Sequence, residues 1–507
     1  MRIEIVVGHG AVCRWHHSLR ERITRLLPGA VIHLKTVEGG APFPPAIRLL
    51  LRMERRLLRR SRPTLCDAAN EAGGIRGEAD AAVDLRIDLS GALVPTQDWS
   101  RTRLLRPLYD GRPSELMAVS ALLSHRSPAL ALEDVANGAI VAQAMPSLEA
   151  ADGLTGGLEA VFSRVTTMVE QVLLSPARIL GNAAVRPPPS PPRGLPGYLL
   201  QNLAREAARA LYHLACSSPH WRIGWRFTEG PGVLETGALS GRRWNALPDL
   251  GADFAADPFP VEWQGRFFVF FERFDARAGK GVICAREVMR AGETGETIPV
   301  LEEDWHLSYP FLIRHEGQLY MVPEASCSRM VTIYRCVAFP QKWEKAGVLL
   351  ADIEAADATI FRHDGRYWMT SVVRDGHGGY SDTLAIHHAP DLFGAWQEHA
   401  LRPVLIDARL ARPAGAVVSR NGKLWRPVQD CSTGYGKALI LARIDVLTAD
   451  SFMQTPMTAL RPDRCWPGNR LHTLNRAGPL ECIDGAILTP RPMGLRRVVQ
   501  RYLDRGR

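Results

Sequence analysis

Apolar and polar positions alternate in paired short runs across the last two-thirds of this chain, and the pairs return at a near-constant interval. ADPFPVEWQGRFFVFFE from Ala256, SYPFLIRHEGQLYMVPE from Ser308, ADATIFRHDGRYWMTSV from Ala356 and PAGAVVSRNGKLWRPVQ from Pro413 each read as a strand, a glycine turn and a second strand. The turn glycines Gly265, Gly317, Gly365 and Gly422 are 52, 48 and 57 residues apart. Repeats of about 50 residues with this content predict the blades of a β-propeller. A shorter fifth blade is read at HTLNRAGPLECIDG from His472, and WRIGWRF from Trp221 reads as an early strand that closes the ring against the last blade.

The first part of the chain follows another pattern. A β-branched strand, RIEIVV, precedes helical periodicity from Trp15 to Leu27. AVIHLKTV and the alternating AAVDLRIDLSG from Ala81 read as two more strands, and helical spacing returns between Gly157 and Leu174. Strands alternating with helices predict a Rossmann-like α/β domain over 1–185 with a largely parallel, doubly wound sheet. RPPPSPPRGLPG, from Arg186, excludes a helix interior or central strand and sets a linker at 186–197. A connecting helix over 198–220, the all-β five-bladed propeller over 221–490 and a basic tail over 491–507 complete the division.

Composition changes this picture little, but charge adds to it. The net charge is +9, with arginines bunched at Arg48–Arg62, where RLLLRMERRLLRRSR holds seven arginines and one glutamate among leucines. Two readings of 48–62 stand: a solvated helix whose leucines pack on the domain, and a peripheral membrane contact. Nucleic acid is excluded as a partner because no basic–aromatic module of a known type is present. Nine scattered cysteines without CxxC pairs fit a reduced compartment rather than thiolate metal clusters, and the N-terminus lacks a secretory signal, so a cytoplasmic protein without metal or cofactor is expected, with peripheral membrane contact through 48–62 as the open alternative.

In each hairpin the chain leaves the channel mouth on one strand and returns on the next, so residues 15 apart stand at the same rim. Asp257 then lies near Glu272, Tyr309 near Glu324, and Ala414 near Gln429 and Asp430, while Asp357, Arg412 and His472 occupy matching starts in other blades. Carboxylates that share a cleft repel, so their pKa values divide, and glycosidic chemistry needs such a division into base and acid. Tyr309, Trp368 and Trp425 are candidate faces for sugar rings, and Arg412 a contact for a phosphate or carboxylate. The aromatics after the turn glycines, Phe267, Phe268, Tyr320, Tyr367, Trp368 and Trp425, read mainly as blade core.

ADPF at Ala256–Phe259 resembles the first-blade motif of the glycoside hydrolase family 43 and sucrase-type propellers, and ADATIFRHDGRYW the third-blade motif. The resemblance implies Asp257 as base or nucleophile and Asp357 as the group that tunes and orients the acid. The fourth-blade acid of that family has no counterpart here, because the place reads RPAG with Arg412, which leaves Glu324 as the favoured acid, with Asp430 or the leaving group itself as alternatives. KGVI, SYPFLI, YMVPEAS, RPAGAVV, RPVQDCSTGYG and HTLN together resemble the N-terminal propeller region of glucosamine inositolphosphorylceramide transferases and of bacterial proteins sharing it, which implies a setting in glycan or glycolipid assembly. VDLRIDLSG and the strand–helix order resemble a formyltransferase-like domain. That fold's Asn-x-His pair cannot be read here, so a degenerate domain is expected.

Three functions remain open on this reading. The first is a propeller that acts on a glycosidic or sugar-phosphate linkage, with Asp257, Asp357 and Glu324 catalytic and Glu272, Tyr309, Arg412, Gln429, Asp430 and His472 binding substrate. The second is a non-catalytic module that holds a glycan, glycolipid headgroup or sugar nucleotide for a partner glycosyltransferase. The third is an amino-sugar formyltransferase.

Overall fold

A computed structural model of the protein describes residues 1–507 apart from 39–42, 58–63, 70–81, 94–101, 176–193, 252, 377, 492–494 and 496–507. The end of the basic run at 48–62, most of the proline-rich linker and nearly all of the tail therefore lie outside the described residues. The chain divides into two compact units, Met1–Leu203 with Asp375–Gly379, and Ala204–Arg374 with Tyr380–Arg507. No helix among the described residues is long and apolar enough to cross a membrane.

The first unit holds β1 (Arg2–Gly8), α1 (Arg14–Leu26), β2 (Val31–Val37), α2 (Pro45–Leu57), β3 (Leu85–Asp88), β4 (Arg103–Tyr109), α3 (Glu115–Leu123), β5 (Leu130–Asp134), β6 (Ala139–Ala144) and α4 (Gly153–Leu174); α5 (Leu195–Ala215) runs across the boundary. The sheet order is β2-β1-β3-β4-β5-β6. β1, β2, β3 and β4 pair in parallel, whereas β4–β5 and β5–β6 are antiparallel, so the sheet is mixed rather than largely parallel. The signal for the antiparallel part is Asn137-Gly138 between two apolar runs, at the end of the four-residue loop that joins Asp134 to Ala139, with Gly138 at φ +65°. Asp88, in the VDLRIDLSG stretch, is a structural acceptor and lends no support to a formyltransferase-like domain. It is buried against Arg106 and accepts from Ser90 and Gly91.

The second unit is a five-bladed propeller. Four blades are antiparallel sheets over Phe254–Leu301, Ser308–Ala351, Ala355–Ile406 and Val418–Leu460. The fifth joins Leu474–Ala477 and Leu480–Pro490 to β7 (Cys216–Phe227), which arrives from the start of the unit and closes the ring. The closure is pinned by Arg226, which pairs with Glu481 at 2.9 Å and donates to the carbonyls of Leu239, Ser240 and Arg242.

Each hairpin turns through two successive residues at positive φ, Gln264-Gly265, Glu316-Gly317, Asp364-Gly365 and Asn421-Gly422, the turn whose twist matches paired strands. Glycine at the second position makes this conformation cheap, which explains the spacing of the repeat. The strand after each turn is buried on both faces and so reads as a continuous apolar run. In Arg266–Asp275, Phe268 and Phe270 pack in a layer shared with the second and third blades, while Val269 and Phe271 pack with Trp225, Leu480 and Cys482 of the fifth. Tyr320 and Tyr367 belong to the first of these layers. Trp368 packs between the third and fourth blades, and Trp425 against the layer of the fourth and fifth. Trp368 and Trp425 thus serve as core, not as faces for sugars. Fully burying such a side chain stabilises by roughly 1.5–3 kcal/mol, so these layers hold the wedge-shaped blades together.

Candidate functional site

The innermost strands of the first three blades share a device that aims their first residues at the channel. Ala256 pairs with Glu272, Ser308 with Glu324 and Ala356 with Val372, and in each case the register then skips two residues. The first residue of each bulge, Asp257, Tyr309 or Asp357, has φ of +53°, +43° or +57°. Aspartate tolerates this left-handed conformation, whereas tyrosine needs compensation. The bulge shifts the rim pairing by one residue from the expected 15, so Ser308, not Tyr309, faces Glu324.

The bulges and the strand ends surround a cavity of about 550 Å³ lined by Asp257, Glu272, His306, Ser308, Glu324, Arg412 and His472 with Trp221, Tyr380 and Tyr435. Asp257 and His472 line it, and Asp484 backs His472 without reaching the cavity. Asp257 Oδ1 accepts from Thr473 Oγ1 at 2.6 Å, and Oδ2 from the Tyr309 amide at 3.3 Å. His472 stands between two carboxylates, with Nδ1 2.5 Å from Asp484 Oδ2 and Nε2 3.4 Å from Asp257 Oδ1. Asp484 also accepts from the amides of Asp257, His472 and Thr473. Burial alone would lower the His472 pKa, but Asp484 and then Asp257 outweigh it and raise it. Burial, with Asp484 adding to it against the pull of His472, raises Asp257.

Asp257, His472 and Asp484 offer ligand atoms within 4.8 Å of one another and are the residues that could hold a cation. With both ring nitrogens already directed at carboxylates, an imidazolium supplies the positive charge that a metal would bring. Trp221 stacks on the His472 ring at 4.0 Å and Tyr435 meets it edge-on at 5.3 Å. Gly436 allows this approach: a Cβ there would stand 2.9 Å from His472 Cβ and 3.0 Å from the Trp221 ring.

Glu272 is the most perturbed acid of the wall. Burial first, then the charges of Asp257 and Glu324, push its pKa well above the usual carboxylate range. His306 faces it, with Nε2 3.5 Å from Glu272 Oε1 and Nδ1 accepting from the Gly281 amide, so the ring proton is on the nitrogen nearest the acid. Gly281 lies in KGVI, and an added Cβ would fall 2.8 Å from Glu272 Oε1 and 2.3 Å from the Leu307 carbonyl. Glu324 is held from both sides, Oε2 accepting from Ser308 Oγ at 2.9 Å and Oε1 from the Ser326 amide at 2.8 Å.

Other sequence candidates have structural roles. Asp357 is buried behind Arg412, accepting from Arg412 Nε at 2.6 Å and from Gln429 Nε2 at 3.3 Å. Burial raises its pKa to about 6 against the opposing pull of Arg412. Gln429 is consumed by that carboxylate and the Pro413 carbonyl, and Asp430 accepts from Ser432 in a turn; neither lines the cavity. Tyr309 is fully buried as well. Thr359 directs its proton to the Asp357 carbonyl, so the phenol donates to Thr359 Oγ1 and accepts from the Gly415 amide, which anchors a tyrosine held at positive φ. Tyr309→Phe is expected to cost about 1–3 kcal/mol in denaturant unfolding, by leaving a buried amide unsatisfied, while ligand affinity measured by calorimetry stays unchanged.

Six residues that the sequence reading passed over belong to the site: Asp484, Thr473, Ser308, His306, Trp221 and Tyr435. An aspartate inside the apolar run LECIDGAIL was the available signal for Asp484, because an acid in such a strand must be partnered.

Fold and site together define a five-bladed propeller whose central cavity is walled by carboxylates from separate blades. Residues 246–479 match the family described as glucosamine inositolphosphorylceramide transferase 1, N-terminal. The chain is similar to glucosamine inositolphosphorylceramide transferase 1 of Oryza sativa subsp. indica, 30% identical over 294 residues that cover 53% of this chain and 39% of that one. The Arabidopsis thaliana protein of the same name is 31% identical over 232 residues, covering 44% and 30%. The chain thus spans less than half the length of these plant relatives. Similar solved structures include a glycosyl hydrolase from Bacteroides ovatus, at 11% identity and a TM-score of 0.34 over 48% of this chain and 88% of that one. Another is CoXyl43, a GH43 beta-xylosidase/alpha-arabinofuranosidase from a compost metagenome, at 14% identity and a TM-score of 0.32 over 52% and 94%. None of these comparisons supports a formyltransferase-like domain over 1–185.

Proposed function

We propose that the propeller binds a sugar or sugar phosphate in its central cavity and acts on the glycosidic or sugar-phosphate linkage, in the assembly of a glycan or glycolipid. The observation that carries this reading is the convergence on one cavity of two acids in different surroundings, Glu272 among other carboxylates and Asp257 beside His472. Glu272, pushed far above the ordinary carboxylate range, stays protonated and can donate to a leaving oxygen, while Asp257 faces the same cavity beside His472 and can act as base or nucleophile. Glu272 therefore replaces Glu324 as the favoured acid. Glu324, fixed by Ser308 and Ser326, positions substrate hydroxyls, and the Asp357–Arg412 pair keeps one guanidinium at the wall for a phosphate. The plant relatives are named for a glucosamine transfer to inositolphosphorylceramide, which makes glucosamine, glucosamine 1-phosphate and glucosaminyl inositol phosphate the first ligands to test.

An acid with a raised pKa keeps its proton at pH values where an ordinary glutamic acid has lost it. Turnover accordingly persists above that range and falls as pH rises through the raised Glu272 value; Glu272→Gln lowers kcat/KM by about 100-fold or more and abolishes this alkaline limb. A pH profile of both proteins checks this, and an unchanged alkaline limb in the variant removes Glu272 from the role.

The second reading is a non-catalytic module that holds the sugar for a partner glycosyltransferase. It is favoured by Arg412, which stands where a fourth-blade acid was sought and is engaged with Asp357. Saturable binding of a probe sugar with no consumption at any pH establishes this alternative.

A further inference from the structure

Two helices leave large apolar side chains in water, and both set arginines beside them. On α2 the outward face carries Arg48, Leu49, Arg52, Met53 and Arg56, with Leu49 58% and Met53 45% exposed. The arginines recur at intervals of four and the apolar pair at the same interval, so they form adjacent rows along one helix face. The helix has one acid, Glu54, which faces inward and accepts from the Leu154 and Thr155 amides at the start of α4 and from Tyr198. Its charge is taken up at a helix N-terminus, and the outer face keeps three positive charges without an acidic partner among the described residues.

The second helix, α5, is tied to the first through Tyr198, whose hydroxyl donates to Glu54 Oε1 at 3.1 Å. Leu199, Leu200, Leu203, Ala207, Leu211 and Leu214 fall within one half of its circumference, and Leu200, Leu203 and Leu214 are 71%, 71% and 76% exposed. Arg205, Arg209 and His213 lie on the other half with Glu206. A 21-residue helix apolar on one side only cannot span a bilayer but can lie in its surface.

We infer that α2 and the part of α5 within the first unit, up to Leu203, form a docking surface for an anionic lipid bilayer, with Leu49, Met53, Leu199, Leu200 and Leu203 entering the acyl boundary and Arg48, Arg52 and Arg56 meeting the headgroups. Charge selects this occupant over a second copy of the chain. In a two-fold dimer the same patch meets itself, and the α2 arginines would confront their own counterparts, whereas an acidic headgroup layer complements them. The inference is independent of the chemistry assigned to the propeller cavity.

The test is flotation of the full-length protein with vesicles of phosphatidylcholine alone and of phosphatidylcholine with phosphatidylserine in about equal parts. The protein is expected to float with the mixed vesicles and to remain behind with the neutral ones. Arg48→Glu/Arg52→Glu/Arg56→Glu lowers partitioning by about a hundredfold or more. Leu200→Ser/Leu203→Ser also abolishes flotation, and both variants keep the wild-type unfolding midpoint because every substituted side chain is exposed. Failure of the wild type to bind the mixed vesicles overturns the inference, as does equal binding by the arginine variant. A stable dimer that the leucine variant converts to monomer assigns the face to a second copy and overturns it as well.

Discussion

Asp257→Asn is expected to lower turnover by about a thousandfold or more while leaving affinity for the intact ligand within a few-fold of wild type. The amide keeps the size of the carboxylate and its contact with Thr473 Oγ1, but it can neither accept a proton nor attack a sugar carbon. It also takes one of two negative charges from His472, leaving Asp484 as the partner that sustains the imidazolium. Asp484→Asn separates these effects, because Asp484 touches the same histidine yet does not line the cavity. If loss of the histidine charge were the cause, the two variants would be equally damaged. If Asp257 itself acts on substrate, the loss is much larger at 257, and turnover that survives there rejects the assignment.

The largest stability effect is expected at Arg412. Arg412→Met removes the main partner of a buried carboxylate and leaves Asp357 with Gln429 as its side-chain donor among the described residues; breaking a buried pair on one side costs about 3–5 kcal/mol. Because burial raises Asp357 from the ordinary carboxylate value to about 6 even with Arg412 present, its contribution to stability is complete below about pH 4 and is lost as pH rises through 6. Without the guanidinium that loss extends to higher pH. Urea unfolding at acidic and neutral pH should therefore show a variant nearly normal in acid and strongly weakened at neutrality, with Asp357→Asn restoring most of the difference in the double variant. Equal destabilisation at both pH values would mean that Arg412 acts through packing, not charge.

The propeller was legible because its turns and its buried strands both have strict chemical requirements. A glycine must follow each positive-φ residue, and each central strand must be apolar on both faces, so Gly265, Gly317, Gly365 and Gly422 and the runs behind them announce the blades. The convergence of Asp257, Glu272, Glu324, Arg412 and His472 followed from that geometry. What escaped was local. A two-residue bulge leaves no mark on apolar periodicity, so Ser308 was passed over for Tyr309, and Tyr309 was given a role at the cavity that its burial denies. Gln429 and Asp430 were placed by their distance along the strand, and proximity to a rim does not determine which way a side chain turns: theirs go to Asp357, Pro413 and Ser432. Trp221 and Tyr435 come from the closing strand and a loop, where no repeat points to them. In the first unit, β1, β2 and β3 were readable as parallel strands, while β4 and the β5–β6 hairpin at Asn137-Gly138 were overlooked and with them the mixed character of the sheet.

The most direct measurement of all is a crystal structure of the Asp257→Asn protein soaked with glucosaminyl inositol phosphate. The expected result is sugar density in the central cavity, with hydroxyls against Glu272 and Glu324 and the phosphate on the side of Arg412. Density confined to another surface, with the cavity free of sugar at saturating ligand, would contradict it.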